Sequence, residues 1–218
     1  MGKLMSYFKS SSGSRHSSGS RQTFSSLHNG IHDHFRENGA FPPGTHPDTI
    51  RSFEAVDRDR SGFVNENELQ QALSYGYQRF ELRTIRLLIF IFNKSNDPRG
   101  IGPQDFSALW NCLGLWRGVF ERYDQDRSGK IDLFELRDAF YGLGYALPPS
   151  VFKVLMANYD DGSNERIELS FDAFVECGLI IKGLTDKFME KDTRRSGSTT
   201  FSYDEFLSVS IPFVAQYE

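Results

Sequence analysis

The sequence predicts an all-α fold of about eight helices, arranged as five helix–loop–helix units in tandem. A twelve-residue loop pattern occurs twice, starting at Asp57 and at Asp124, and hydrophobic residues recur at helical spacing on both sides of each loop. Weaker copies of the pattern start near residues 93, 160 and 192, so the intervals between the five starts are 36, 31, 36 and 32 residues. Such alternating intervals are expected if some neighbouring units share one helix.

Two shared helices can be read from the hydrophobic pattern. Residues 105–123 contain no proline and carry a broad apolar face, which predicts one helix leaving the second unit and entering the third. Residues 174–189 have the same character between the fourth and fifth units. The apolar face of the first shared helix consists of Phe106, Leu109, Trp110, Leu113, Trp116, Val119, Phe120 and Tyr123.

Residues 1–46 are predicted to be a flexible, basic tail in front of a folded body at 47–218. Residues 10–20 are almost entirely Ser and Gly, a composition that buries too little apolar surface to offset its ordering entropy. Pro42, Pro43 and Gly44 interrupt the chain before a helix that Pro47 can start. The tail carries five basic and two acidic residues, a net charge of +3. The body carries 20 basic and 27 acidic residues, a net charge of −7. The negative charge of the body disfavours nucleic acid as a partner.

Several other classes of protein are excluded by the sequence. The longest apolar run, residues 87–92, is too short to span a membrane, and the first residues do not form a secretory signal. Cys112 and Cys177 match no metal-ligand spacing and are expected to be buried and reduced. Neither a G-x-S-x-G nor an H-E-x-x-H motif is present, so we expect no catalytic activity.

The two full loops match the EF-hand pattern for binding calcium. Each has oxygen-bearing side chains at positions 1, 3 and 5, a glycine at 6, an aliphatic residue at 8 and a glutamate at 12. Two Ca²⁺ sites are therefore predicted. In hand one, the loop starting at 57, the ligands are Asp57, Asp59, Ser61, the carbonyl of Phe63, Asn65 through water, and Glu68. In hand three, the loop starting at 124, they are Asp124, Asp126, Ser128, the carbonyl of Lys130, Asp132 through water, and Glu135. At the ligand positions hand three has four carboxylates and hand one has three. The sequence therefore favours tighter binding at hand three.

The other three hands are predicted to be structural. Hand two starts at Asn93, is one residue longer and ends at Asp105, whose side chain is too short for bidentate ligation. Hand four is two residues longer and offers Phe171 or Ala173 where a glutamate is needed. Hand five has twelve residues but places a cationic side chain at position 3 and an aromatic one at position 12; these are Arg194 and Tyr203.

Five tandem hands after a flexible tail resemble the penta-EF-hand family and calmodulin-like proteins of that type, over residues 47–218. The resemblance implies that hands one and two, and hands three and four, pair inside the chain through short β ladders. It also implies that hand five pairs with a second subunit, and that calcium controls association with membranes or target peptides. The Ser-rich tail departs from the Gly, Pro and Tyr composition usual in the family, so no tail function is carried over.

The residues at position 8 of the loops also predict which hands pair. Val64 can pair with Ile101 and Ile131 with Leu169, whereas Thr199 of hand five has no partner in the chain. The apolar residues around hand five therefore predict a homodimer or heterodimer through it. The alternative is that residues 211–214 fold back over the unpaired hand. The apolar residues concerned are Phe188, Phe201, Phe206, Leu207 and residues 211–214.

Taken together, these features predict a calcium sensor or adaptor whose protein targets or membrane association change with calcium at hands one and three. A calcium buffer and a calcium-responsive regulatory subunit of an enzyme are the alternatives. A cytoplasmic location is expected. Gly2 and Ser6 fit the N-myristoylation pattern, which would add reversible membrane association.

Overall fold

The structure, a computed structural model, describes residues 40–74, 79–95, 97–160 and 167–215. These ranges contain eight α-helices, as predicted. They are α1 (Pro47–Val56), α2 (Glu66–Leu73), α3 (Leu82–Phe92), α4 (Pro103–Tyr123), α5 (Leu133–Gly142), α6 (Pro149–Ala157), α7 (Phe171–Lys191) and α8 (Tyr203–Val214). Most of the predicted tail, with the acylation pattern at Gly2, lies outside the described residues.

Both shared helices are confirmed. The helix α4 runs for 21 residues from hand two into hand three, and α7 runs for 21 residues from hand four into hand five. Each begins at an N-cap residue that directly follows the β-bridge residue of its loop; these N-caps are Gly102 and Ser170. Neighbouring hands are therefore joined by a continuous helix.

The predicted pairing of the first four hands is also confirmed. The backbone N–H groups of Val64 and Ile101 each donate to the other residue's carbonyl oxygen at 2.9 Å, and Ile131 and Leu169 do the same at 2.8 Å. All four side chains are fully buried. Gly100 has a φ of 130°, and a Cβ there would lie 2.2 Å from the Val64 carbonyl oxygen, so this close approach of two loops requires glycine.

The core is rich in aromatic side chains and extends through both pairs of hands. Phe174 of α7 contacts Trp116, Phe120 and Phe140, with ring centroids 5.5–6.4 Å apart. Just before α1, Phe41 packs edge-on against Phe53 at 5.4 Å. No helix in the described ranges is both long enough and apolar enough to cross the membrane.

Both cysteines are free and buried, as expected from the sequence. Burial raises the pKa of the Cys112 and Cys177 thiols to about 12, which keeps them protonated and unreactive at neutral pH.

A buried acidic group lies where α7 meets the start of α3. Asp172 is 8% exposed, and its Oδ1 atom has no hydrogen-bond partner among the described residues. Burial raises the pKa of Asp172 to about 6, and the neighbouring Thr84 and Glu81 N–H compensate only in part. The ionised form of the Asp172 carboxyl group is therefore less favourable in the folded protein than in water.

This raised pKa predicts a pH-dependent effect of Asp172→Asn. Because the pKa in the folded state lies above its value of about 3.8 in the unfolded chain, the contribution of Asp172 to stability is present below pH 4 and lost as the pH rises to about 6. The amide introduced by the substitution mimics the protonated acid, so the variant should gain about 3 kcal/mol over the wild type at pH 7.5 and less than about 1 kcal/mol at pH 4. Urea unfolding in EGTA at both pH values measures this difference, and an equal difference at both would contradict the assignment.

Candidate calcium sites

Hand one is organised around Glu68, which contacts both ends of its loop. The backbone N–H of Arg58, the second loop residue, donates to Glu68 Oε1 at 2.8 Å, and the N–H of Asn65 donates to Oε2 at 3.0 Å. The N–H of Glu68 in turn donates to Asn65 Oδ1 at 3.1 Å, which completes a capping box at the start of α2. The carboxylate at position 12 is thus held over the loop before any ion binds.

The start of the same loop wraps around Asp57. The N–H groups of Ser61 and Gly62 each donate to a different Asp57 carboxylate oxygen at 2.9 Å. The Ser61 hydroxyl donates to the Phe63 carbonyl at 3.0 Å, so these two predicted ligands lie side by side. Gly62 has a φ of 82°, which confirms that the turn depends on glycine.

Three carboxylates converge in hand one. One oxygen each from Asp57, Asp59 and Glu68 lie within 4.8 Å of one another, and no other His, Cys, Asp or Glu residues in the described part of the chain form such a group. A Ca²⁺ ion with ligands at 2.3–2.6 Å fits between oxygens at this separation.

The electrostatics of hand one also favour a cation. Asp57 and Glu68 are only 7% and 8% exposed, and within the described ranges no lysine or arginine forms an ion pair with either residue or with Asp59. Hydrogen bonds from Ser61 lower the pKa of Asp59, so this carboxylate stays ionised. Several negative charges held together without a basic partner favour the binding of a cation.

Hand three repeats this arrangement in a more open form. Glu135 accepts from the N–H of Gln125 at 3.0 Å and from that of Asp132 at 3.2 Å, and Asp132 closes the capping box. The N–H of Gly129 donates to Asp124 at 3.0 Å, and that of Ser128 to Asp126 at 2.9 Å. The Ser128 hydroxyl lies 3.2 Å from the Lys130 carbonyl. All the predicted ligands lie in one loop, but their carboxylates are more exposed than those of hand one. They do not bring three carboxylate oxygens within 4.8 Å of one another, as hand one does.

In hand two, a carboxylate of the loop pairs with an arginine. The Arg99 guanidinium bonds both oxygens of Asp97 at 2.9 and 2.7 Å, which lowers the pKa of that carboxyl to about 2. The same guanidinium stacks 3.7 Å from the ring centroid of Phe63 in hand one. Asp105 accepts from the Lys94 N–H at 3.0 Å and so takes the structural role of the last glutamate. Hand two thus differs from hand one in having a basic partner for one of its loop carboxylates.

Hand four lacks the final carboxylate. Ser170 caps α7, and its hydroxyl oxygen accepts from the N–H of Ala173 at 3.3 Å, so Ala173 occupies the position that Glu68 has in hand one. Residues 161–166 of this loop lie outside the described residues.

The prediction for hand five was wrong in the second half of its loop. Ser202 caps the outgoing helix, and its capping-box partner, at the final position of the loop, is Glu205 rather than the predicted Tyr203. The loop is therefore two residues longer than predicted, and Phe201 replaces Thr199 as the residue equivalent to Val64. The spacing Ser202-x-x-Glu205 is itself a capping-box signal and could have revealed this register.

The comparisons with known proteins agree with this geometry. A family model described as an EF-hand domain matches residues 115–144, and one described as an EF hand matches residues 50–74. These segments contain hands three and one. Fold and site together define a calcium-binding protein of the EF-hand class.

Similar proteins refine this class. Over 182 residues the chain is 52% identical to "Probable calcium-binding protein CML48" of Arabidopsis thaliana, covering 83% of this chain and 80% of that protein. It is 48% identical to "Calcium-binding protein CBP" of Oryza sativa subsp. japonica and 36% to peflin of Xenopus laevis, covering 80% and 79% of this chain and 60% of each relative. A solved structure of a homolog of programmed cell death 6 protein from Leishmania major Friedlin matches with a TM-score of 0.61 at 29% identity, covering 76% of this chain and 93% of that one. The chain belongs to the penta-EF-hand family of calcium-binding proteins, which confirms the resemblance found in the sequence.

Proposed function

We propose that the chain is a calcium sensor that loads one ion in hand one and one in hand three and then changes the surface it offers to protein targets. The observation that supports this most strongly is the group of three carboxylates in hand one, which has no basic partner in the described part of the chain. We expect no enzymatic activity, because the clustered carboxylates serve as metal ligands.

The sensing step starts at Glu68. When Ca²⁺ takes both Glu68 oxygens, the bond from Arg58 N–H must weaken and the start of α2 must follow the carboxylate. The bridge between Val64 and Ile101 then passes this movement to hand two, and α4 carries it to hand three. A buffer would bind calcium without this rearrangement.

Binding of a hydrophobic dye separates sensor from buffer. Calcium should increase dye fluorescence severalfold in the wild type and leave it unchanged in the double variant Glu68→Gln, Glu135→Gln. Equal fluorescence of the wild type with calcium and with EGTA would favour the buffer. A pull-down with and without calcium then separates a transient adaptor from a constitutive subunit of an enzyme complex.

We expect hand one to load before hand three, the reverse of the order that carboxylate counting predicts. Each twelve-residue loop contains four acidic and two basic residues, so the net loop charges are equal. The closer grouping of carboxylates in hand one then decides the order, because less rearrangement is needed there. Titrations of Glu68→Gln and Glu135→Gln test this: the single remaining site should be tighter in Glu135→Gln, and a tighter site in Glu68→Gln would restore the order from counting.

We also infer self-association through hand five. The outer face of α8 carries Tyr203, Phe206, Ile211 and Val214, which are all more than half exposed. Phe213 is the one buried residue of α8, so the C-terminal segment folds back at a single point and leaves this apolar face, here called the α8 stripe, uncovered. Pairing of two stripes about a two-fold axis would bury it.

Size-exclusion chromatography with light scattering tests the dimer. Phe206→Glu should convert a dimer to a monomer of 24.9 kDa, whereas Val154→Glu, at an equally exposed position on α6, should have no effect. A wild-type monomer at tens of micromolar would contradict homodimerisation, and a partner chain captured only by protein with an intact stripe would favour a heterodimer.

Membrane association is proposed on the sequence alone. Acylation at Gly2 would give a cytoplasmic protein reversible affinity for membranes, because a single acyl chain binds only marginally. Mass spectrometry of the chain made together with an N-myristoyltransferase should find a myristoyl group on Gly2, and an unmodified or acetylated N-terminus would contradict this.

A further inference from the structure

Position 7 of a calcium loop contributes its backbone carbonyl, so the conformation of one main-chain segment decides whether that ligand points at the ion. In hand one this carbonyl belongs to Phe63, and it accepts from the Ser61 hydroxyl at 3.0 Å. The chain is fixed on either side, because the N–H of Gly62 donates to Asp57 and Val64 forms the bridge to hand two. Phe63 is the residue between these two fixed points, so what holds its side chain also bears on its carbonyl.

The Phe63 side chain is held by hand two. The guanidinium carbon of Arg99 lies 3.7 Å from the centroid of the Phe63 ring, which is a cation–π contact. The ring is partly buried and also approaches Gly102, where a Cβ would lie 3.5 Å from Phe63 Cε1. Hand two therefore contacts a ligand-bearing residue of hand one through a side chain, in addition to the backbone bridge.

Arg99 is itself fixed in orientation. Its Nε and Nη2 atoms donate to the two carboxylate oxygens of Asp97 at 2.9 and 2.7 Å, and its backbone N–H donates to Asp97 Oδ1 at 2.9 Å. The main chain of Asp97 is tied to the Asn93 side chain, with its N–H donating at 3.2 Å and its carbonyl accepting at 2.9 Å. Because a guanidinium is planar, pairing through two nitrogens sets the orientation of its plane. The loop of hand two thus presents Arg99 to the Phe63 ring in a defined geometry.

Hand three has a weaker counterpart of this contact. Its position-7 residue, Lys130, places its Nζ atom 3.6 Å from Glu168 of hand four, and the two side chains are 56% and 34% exposed. An exposed ion pair at this distance contributes little and is screened by salt. The position-7 residue is therefore held more firmly in hand one than in hand three.

We propose that Arg99 is a positioning residue for calcium in hand one. By holding the Phe63 ring it keeps the Phe63 carbonyl in place before the ion binds, and this raises the affinity of the site because less ordering is left for the binding step. Hand two, which is predicted to be structural, then sets the affinity of its neighbour. The inference rests on the proposed calcium site in hand one, and it adds a reason for that site to load before hand three.

Calorimetric titration of the full chain tests the role of Arg99 in the Glu135→Gln background, where only hand one should bind calcium. Removing Arg99 alone would leave Asp97 as an added negative charge, so the test variant is Asp97→Asn with Arg99→Gln, which keeps the net charge. It should weaken hand one about two- to fivefold, as expected for an exposed cation–π contact. The matched control, Arg137→Gln with Asp138→Asn, removes an exposed pair and a contact to a phenylalanine on α5, and should change the affinity less than about 1.5-fold.

Phe63→Leu separates positioning from a general loosening of hand two. Leucine keeps the backbone carbonyl but removes the ring, so Phe63→Leu alone should weaken hand one by a similar factor. Adding Asp97→Asn with Arg99→Gln to Phe63→Leu should then cost less than about another 1.5-fold, because the ring on which Arg99 acts is already gone. A loss caused only by a loosened loop would be equal with and without the ring.

The outcomes distinguish this inference from the proposed function. An unchanged or higher affinity in Asp97→Asn with Arg99→Gln, or an equal loss in the presence of Phe63→Leu, would overturn the role of Arg99 and leave the calcium site of hand one in place. No calcium binding by the Glu135→Gln parent would overturn the site itself, and this inference with it.

Discussion

Arg83→Leu is expected to lower the free energy of unfolding by about 3 kcal/mol, because it leaves the Glu176 carboxylate buried without its partner. Arg83 Nε and Nη2 both donate to Glu176 Oε2, at 2.9 and 2.7 Å, and Glu176 is 1% exposed. Burial raises the pKa of Glu176 even with the arginine present. The pair joins α3 of hand two to α7, so its loss weakens the contact between the two pairs of hands. Guanidinium unfolding in EGTA measures the effect.

The matched control removes an exposed pair. Lys187→Leu breaks the pair with Glu190 and should cost less than about 1 kcal/mol. The double variant Arg83→Leu, Glu176→Leu should recover much of the loss, because it leaves no buried charge. A cost for Arg83→Leu as small as that of the control would mean that water solvates Glu176 freely.

Glu68→Gln is expected to weaken calcium binding at hand one by about 30- to 100-fold, equivalent to about 2–3 kcal/mol. The amide oxygen can still accept from Arg58 N–H or Asn65 N–H, so the loop should keep its shape while losing one charge and bidentate ligation. Calorimetric titration of the full chain should then find one strong site, at hand three.

Glu66→Gln is the control for charge alone. Glu66 lies in the same loop but is only partly buried and pairs with Arg86 at 3.4 Å, so the substitution changes the net charge equally without removing a ligand. Its effect on affinity should be less than about threefold at physiological ionic strength. Equal losses in the two variants would mean that Glu68 acts by its field and is not a ligand.

Local signals explain why so much of the fold could be predicted from sequence. The loops of hands one and three are defined by residues within twelve positions of one another, and the bridge partners of Val64 and Ile131 follow from position 8 of each loop. The shared helices follow from hydrophobic patterns with no internal proline. In all these cases the residues that decide the structure are close in sequence.

The features that were missed depend on contacts between distant residues or on an insertion. Arg83 and Glu176 are 93 positions apart, and nothing near either one indicates that an ion pair will be buried there. The raised pKa of Asp172 likewise depends on α3 packing over the start of α7. In hand five the glycine at position 6 suggested a standard loop, and the two extra residues became visible only from the capping box of Ser202 and Glu205.

The central claim is that two hands bind calcium while the other three stabilise the fold. Isothermal titration calorimetry of the full chain tests it most directly. We predict two Ca²⁺ ions per chain with dissociation constants of about 10⁻⁷ to 10⁻⁵ M, falling to one ion in Glu68→Gln or Glu135→Gln and to none in the double variant. Four or five ions per chain, or binding that persists in the double variant, would contradict the assignment.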